Sequence, residues 1–235
     1  MNFTSLYTSM KVAVFFSGRI KGYENCLQHL LMYKENYDTT YFCSLNQKEN
    51  DPYTDAFFSA LDIKEDQRNI EETVYPPWIE HFDHSQMRIH EVTNMNRNRF
   101  NTYSMFYHHY KAFVKIHEYQ QKHNMQFDIV VQYRADLISK TFIHLEVPLK
   151  DHVYTWDNCH TNPDAFCKIG NGMMYGNYES MMKFTAAIHY IEDMCRKGIV
   201  YHPEYMHWVW INSVGLKIRL FDFEHTYDST RHNPI

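Results

Sequence analysis

The sequence predicts a single-domain α/β fold, a sheet flanked by helices, and three observations carry that prediction. Apolar runs at residues 11–16 (KVAVFF), 39–45 (TTYFCSL) and 127–133 (FDIVVQY) have the length and the β-branched and aromatic content of buried strands. Between them lie segments whose apolar residues recur three and four apart, as on amphipathic helices. The alternation begins at the N-terminus, and the right-handed crossover of such βαβ units makes their strands parallel. At 235 residues the chain has enough material for one substantial core.

Each element has its own local reason. After the first strand, Ser17-Gly18-Arg19 makes a tight turn, and Tyr23, Leu27, Leu30 and Leu31 mark the apolar face of the first helix. Residues 39–45 close the first βαβ unit. Residues 46–86 are polar and broken by Pro52, Pro76 and Pro77, which predicts a connection with one short helix at 55–61. A strand is expected at 87–92, then a polar loop at 94–101 carrying Arg97 and Arg99. From Thr102 onward Tyr103, Phe106, Tyr107, Tyr110, Phe113, Val114 and His117 form the stripe of a long helix that ends near His123 and Asn124. The strand at 127–133 follows, with further strands expected at 142–145 and 153–156. A turn-rich stretch through Asp157 and Asp164 leads to Gly170 and Gly172, which let backbone approach a ligand. Met181, Phe184, Ile188, Ile191 and Cys195 mark a helix stopped by Gly198, and Pro203 and Glu204 open another that carries Met206, Val209 and Trp210. Residues 217–223 alternate as a last strand. Residues 1–10 are expected to be a flexible leader, 11–225 the domain and 226–235 a polar tail.

Composition excludes several classes. With 23 Lys+Arg against 28 Asp+Glu the formal charge is −5, so no global basic field points to nucleic acid, and local clusters must carry any phosphate binding. The five cysteines are odd in number and form no CxxC pair, which predicts free thiols in a reducing compartment. No HExxH or HxH pattern occurs among the 16 histidines; His81, His84, His108, His109, His117 and His123 fall in polar or helical-surface positions and are expected to be solvated or structural. The N-terminal apolar run is too short for a signal peptide and no run spans a bilayer, so the expected location is cytoplasmic, without an integral membrane segment.

The densest chemistry lies at residues 127–137, FDIVVQYRADL, where an apolar run ends in Arg134-Ala135-Asp136. A buried strand with a guanidinium and a carboxylate at its C-terminal end presents them where open α/β sheets bind ligands. Arg grips phosphate oxygens bidentately, and Asp can hold a hard divalent cation that shares the phosphate charge. The same pair could instead close the strand as an internal ion pair.

Taken in order, these residues resemble a glycosyltransferase of the GT-A type, and more narrowly the glycosyltransferase-like proteins of large DNA viruses and bacterial surface-polysaccharide loci. The resemblance rests on Ser17-Gly18-Arg19-Ile20 after the first strand, Met105-Phe106-Tyr107 on the aromatic helix, the strand at 127–137 as a YDIVIRxRxDL match, residues 162–170 (NPDAFCKIG) and the helix bearing Glu204. It implies a single-domain GT-A-like (Rossmann-like) fold with a mixed, mostly parallel sheet, a nucleotide-sugar donor and a glycan, glycoprotein or lipid-linked acceptor. The chain departs from the Asp-x-Asp metal motif, keeping only Asp136, and has Ala165 where the family pattern has Gln. The expected donor site is Ser17, Gly18, Arg19, Arg134 and Asp136, with Mn2+ or Mg2+ on Asp136 and on His225, as His serves in glycogenin-like transferases. In an inverting reaction a carboxylate takes the acceptor proton, and Asp164, Glu204 and Asp157 are the candidates in that order. For Asp164 a turn or cap role, and for Glu204 a first-turn charge against the helix dipole, are the competing uses. The alternative function is a catalytically reduced domain that binds a nucleotide sugar or glycan without transfer.

Overall fold

Strand β1 (Lys11–Gly18) lies inside the sheet, and every side chain from Val12 to Phe16 is fully buried, so both of its faces meet core. The computed structural model describes residues 10–18, 20, 22–46, 52–81, 99–135, 137–139, 142–156, 169–170, 172–199, 201–221 and 225–227. Alternation along β1 divides the core. Val12, Val14 and Phe16 face one cluster with Cys26, Leu30 and Tyr33 of α1 (Glu24–Asn36), while Ala13 and Phe15 face Ala112, Phe113 and Ile116 of α4 (Arg99–His123). Each buried Phe contributes roughly 1.5–3 kcal/mol relative to exposure, and Phe15 and Phe16 anchor the two layers from adjacent positions.

β1 pairs in parallel with β2 (Asp38–Leu45), which pairs in parallel with the short β3 (Arg68–Ile70). Between them lie α2 (Pro52–Leu61) and a 3-10 turn at Glu65–Gln67, and α3 (Trp78–His81) follows β3. The predicted strand at 87–92 and most of the polar loop at 94–101 lie outside the described residues. The long helix begins at Arg99, three residues before its predicted start, and Phe100 meets Tyr75 edge-on with ring centroids 5.0 Å apart.

β4 (Ile129–Tyr133) pairs in parallel with β1 on the side away from β2. Beyond it come β7 (Met173–Gly176), antiparallel to both neighbours, then β6 (His152–Trp156) and β8 (Lys217–Phe221), parallel to each other. The order among the described residues is β3-β2-β1-β4-β7-β6-β8, a seven-stranded, mostly parallel mixed sheet flanked by helices. A separate ladder joins β5 (Leu137–Ser139) to β9 (His225–Tyr227).

Three expectations are corrected. Residues 142–145 join no ladder: Phe142 packs 4.9 Å from the Tyr33 ring and the Leu145 N–H donates to Tyr37 Oη, so the segment covers α1 instead of extending the sheet. The helix expected from Met181 to Cys195 is three pieces, α5 (Tyr178–Thr185), a 3-10 turn at Ala186–Tyr190 and α6 (Ile191–Arg196). Thr185 Oγ1 donates back to the carbonyls of Met181 and Met182, a competition with the helical ladder that bends helices. The strand expected at 217–223 is β8 (Lys217–Phe221), but it is not the last, since β9 follows. After α6, Gly198 at φ +76° closes the helix and α7 (Pro203–Ser213) begins with Pro203 in its first turn. Among the described residues no helix is long and apolar enough to cross a membrane.

Candidate functional site

The chain passes from β1 to β2 to β3 in one direction across the sheet, then returns to place β4 on the other side of β1. Such a reversal opens a crevice at the carboxyl ends of the two diverging strands, the place where open α/β sheets take ligands. Phe16 and Tyr133 are register partners, so Ser17 and Arg134, one residue further on, stand side by side at that crevice. In the same row Ser17 is opposite Ser44 of β2, and one pair before the end of the β2–β3 ladder Ser44 is opposite Asn69. The chain then turns at Gly18, whose φ of +82° is strained for any side chain although a Cβ there would meet nothing.

Arg134 is partly buried and its backbone is fixed from two directions. Its N–H donates to the Gly172 carbonyl at 2.8 Å and its carbonyl accepts from the Leu137 N–H at 3.1 Å. The next residue is also held: the Cys26 thiol on α1 lies 3.3 Å from the Ala135 carbonyl. Asp136 lies outside the described residues, as do Arg19, Asp157 and Asp164. In sequence Asp157 directly follows Trp156, the last residue of β6, whose direction is that of β4. His225 opens β9 and its backbone pairs with Ser139 of β5, the short strand that begins immediately after Asp136. Among the described residues no group of three or more His, Cys, Asp or Glu side chains is placed to hold a metal ion.

Two glycines expected to admit a ligand serve packing. A Cβ on Gly170 would come 2.1 Å from the Trp156 indole and one on Gly172 2.3 Å from it. Both residues lie against this buried ring, and Thr155 Oγ1 donates to the carbonyls of Gly170 and Met173, which locks the segment onto β6. Their small size fits the indole and leaves it in place.

Of the two uses expected for His108 and His109, solvated or structural, the structure shows the structural one, although not at the polar or helical-surface positions expected. Both are buried, because on α4 they face the carboxyl edge and the core between Phe106 and Phe113. His108 Nδ1 is 2.8 Å from Ser44 Oγ and its Nε2 is 3.0 Å from Thr73 Oγ1. Asn69 donates to Ser44, and Thr73 bonds Ser104, so one imidazole connects the ends of β2 and β3 to the start of α4. Burial lowers the His108 pKa to about 4, against the opposing pull of the Glu71 carboxylate.

His109 belongs to a second group, behind Arg134. Its ring stacks on His207 of α7 at 5.7 Å and 16°, and His207 lies between Phe106 at 4.3 Å and Phe184 at 4.6 Å. Burial lowers both pKa values; a proton on His109 would also be opposed by one on His207, by the Arg134 guanidinium and by one on His108, and His207 falls to about 3 despite nearby Glu204. Both rings are neutral, and neither Nδ1 has a hydrogen-bond partner among the described residues. Glu204 stands in the first turn of α7, where its charge meets the helix dipole, and it is only 5% exposed with its carboxylate 2.8 Å from His202 Nδ1. His109 and His207 were not nominated by motif. The available signal was position: His109 is three residues after Phe106 and four before Phe113, on the same stripe, and His207 follows Met206 in the apolar run of α7.

This arrangement puts a glycine turn and Arg134 at the carboxyl ends of neighbouring strands β1 and β4, with two neutral imidazoles and a buried carboxylate on the α4–α7 side. Comparison with family models and with curated sequences finds no match. Among solved structures, the chain is similar to the galactosyltransferase LgtC in complex with donor and acceptor sugar analogs, at 11% identity over 88% of this chain and 72% of that one, with a TM-score of 0.48. It is also similar to mouse xyloside xylosyltransferase 1 in its apo form, at 11% identity over 91% of this chain and 86% of that one, with a TM-score of 0.42.

Proposed function

We propose that this chain is a glycosyltransferase that moves a sugar from a nucleotide-sugar donor to a glycan, glycoprotein or lipid-linked acceptor. The observation that carries the reading is that Ser17-Gly18 and Arg134 flank the reversal point between β1 and β4 at the carboxyl edge. The GT-A-like motifs of the sequence assign donor binding to those same residues. The Gly18 turn lets the diphosphate approach backbone, and Arg134, with Arg19, neutralises the charge that grows on the leaving nucleoside diphosphate.

A divalent cation, Mn2+ or Mg2+, would supply further stabilisation of that leaving group. The residues that would hold it are Asp136, a carboxylate that suits Mn2+ or Mg2+, and His225, a nitrogen donor. The pairing of Ser139 with His225 supports this choice, because it brings the backbone of His225 to the strand that follows Asp136. Asp164 takes the acceptor proton, with Asp157 next in order. Glu204, buried and engaged by His202, has the surroundings of a group that positions the neighbouring imidazoles. The single carboxylate in Arg134-Ala135-Asp136 favours one second reading, a domain that keeps donor binding and has lost transfer.

Thermal unfolding with UDP, GDP, CMP and dTDP sugars, each with Mn2+ and with EDTA, tests the reading. A ligand at about 100 times its Kd stabilises the folded state by about 2.7 kcal/mol. The expected result is a shift for one nucleotide, reduced by EDTA and lost in Arg134→Ala and Asp136→Ala. A shift without sugar transfer selects the second reading. No shift with any donor overturns both.

A further inference from the structure

The outer face of α4 carries a cleft of about 300 Å³ that takes no part in the crevice between β1 and β4. Its walls are Tyr103, Tyr107 and Tyr110, spaced i, i+4 and i+7 on α4, together with Trp78 from α3. Tyr103 and Tyr107 are stacked with centroids 6.5 Å apart, and Trp78 meets Tyr103 edge-on at 6.2 Å. All four rings keep part of their surface in solvent, so this stripe is not simply core.

The polar groups of the cleft are charge-balanced. The Lys111 ammonium lies 5.4 Å above the Tyr107 ring and 3.0 Å from Glu71, and Glu192 is paired with Arg196. The cleft therefore offers π faces with hydrogen-bonding groups at their margin, the His189 imidazole against Tyr110 among them, and no uncompensated ammonium or carboxylate. A pyranose has matching chemistry: its C–H face carries weak positive potential and lies on the negative face of an aromatic ring, while its hydroxyls reach amphipathic and charged groups at the rim. An anionic sugar would gain nothing from an ammonium already neutralised by Glu71.

Position connects this cleft to the reactive edge. α4 begins at the carboxyl edge, where Asn46 Nδ2 donates to Ser104 Oγ at 3.3 Å, and ends at the opposite edge, where Lys122 pairs with Asp66 at 2.6 Å. Tyr103 and Tyr107 are in the half nearer the crevice, yet a helix thickness of about 10–12 Å separates the outer face of α4 from the sheet. A sugar seated there is not the one receiving the transferred residue. We infer that the cleft binds a neutral pyranose unit of the acceptor glycan, some residues away from its reacting end. The inference rests on the glycosyltransferase reading and narrows its acceptor to a neutral oligosaccharide, whose remote unit supplies binding energy that orients the reacting hydroxyl.

Binding of the full chain to an array of defined neutral and acidic oligosaccharides tests this without any donor. The wild type is expected to bind neutral oligosaccharides, and Trp78→Ala to weaken that binding about tenfold or more, the effect of losing roughly 1.4 kcal/mol. Trp78→Phe, which keeps a ring face, retains most of it. Tyr110→Ala, on the long helix, repeats the test should the short α3 fail to fold around alanine. Both alanine variants keep any donor-induced thermal shift. Absence of neutral-glycan binding, selectivity for acidic glycans, or unchanged affinity in both variants overturns the inference. Glycan binding that the alanine variants abolish, in a protein that no nucleotide sugar stabilises, leaves the cleft standing and removes the transferase reading.

Discussion

His108 and His109 are neighbours in sequence but meet different surroundings, because successive helical residues point about 100° apart. His108 ties polar strand ends together, and His109 joins an aromatic stack with His207. Their charge states make pH the sharpest probe of this region. A histidine at its ordinary pKa of about 6.5 takes up a proton in the unfolded chain as pH falls, whereas His108, near 4, and His207, near 3, stay neutral in the folded one. The unfolded state binds more protons, so the stabilisation is complete above the unfolded pKa and is lost progressively as pH falls towards the folded values. Between about pH 7 and about pH 5 each of these histidines is expected to cost roughly 2 kcal/mol of stability. Urea unfolding across that range checks it, with His207→Phe giving a flatter profile; a profile unchanged by that substitution would place the titrating group elsewhere. His109 faces both of these histidines and, lowered in the same way, adds a loss of the same sign, while His202 faces Glu204; the other facing groups, Glu71, Lys111, Arg134 and Glu204, have no ordinary pKa inside this window.

At the scale of elements, two kinds of glycine part company. Gly18 ends β1 at positive φ with open space around it, so Gly18→Ala should cost about 1–2 kcal/mol through backbone conformation alone. Gly172 precedes β7 without positive φ but presses on Trp156, so Gly172→Ala should cost about 1–3 kcal/mol through overpacking. Adding Trp156→Phe separates the causes: chemical denaturation should show partial rescue of Gly172→Ala and none of Gly18→Ala. In the sequence both glycines belong to polar, turn-rich stretches. Only the facing strand shows that one answers to a dihedral angle and the other to an indole. The same limit applies to β7, whose residues follow a glycine-rich stretch and become a central strand because β4 and β6 both need a hydrogen-bonding partner there.

For the whole molecule, the distribution of thiols follows the layers. Cys26 and Cys43 lie in the core on the α1 face of the sheet, Cys195 lies in the cluster outside α4, and all three are buried and outside any disulfide. Burial raises the Cys43 and Cys195 thiols to about 12, which leaves almost no thiolate at neutral pH. Alkylation followed by mass spectrometry should therefore label these three only as fast as the native state opens, and faster in step with any destabilising variant. Rapid labelling of Cys43 in the folded protein would contradict a core that is closed on the α1 face.

The sequence by itself determined the first parallel strand pair, the long aromatic helix and the end of the central strand at Arg134, because apolar runs and helical spacing are properties of neighbours in the chain. It also nominated Ser17, Gly18 and Arg134, since a turn after a buried strand and a charge at the end of another are local signals. Tertiary structure decided that these residues share one crevice, because only the return of the chain to β1 makes β4 its neighbour. It likewise decided that His109 and His207 stack and that Gly170 and Gly172 yield to Trp156. Those outcomes depend on contacts between side chains far apart in sequence, whose burial removes water and sets both their charge and the space left to them.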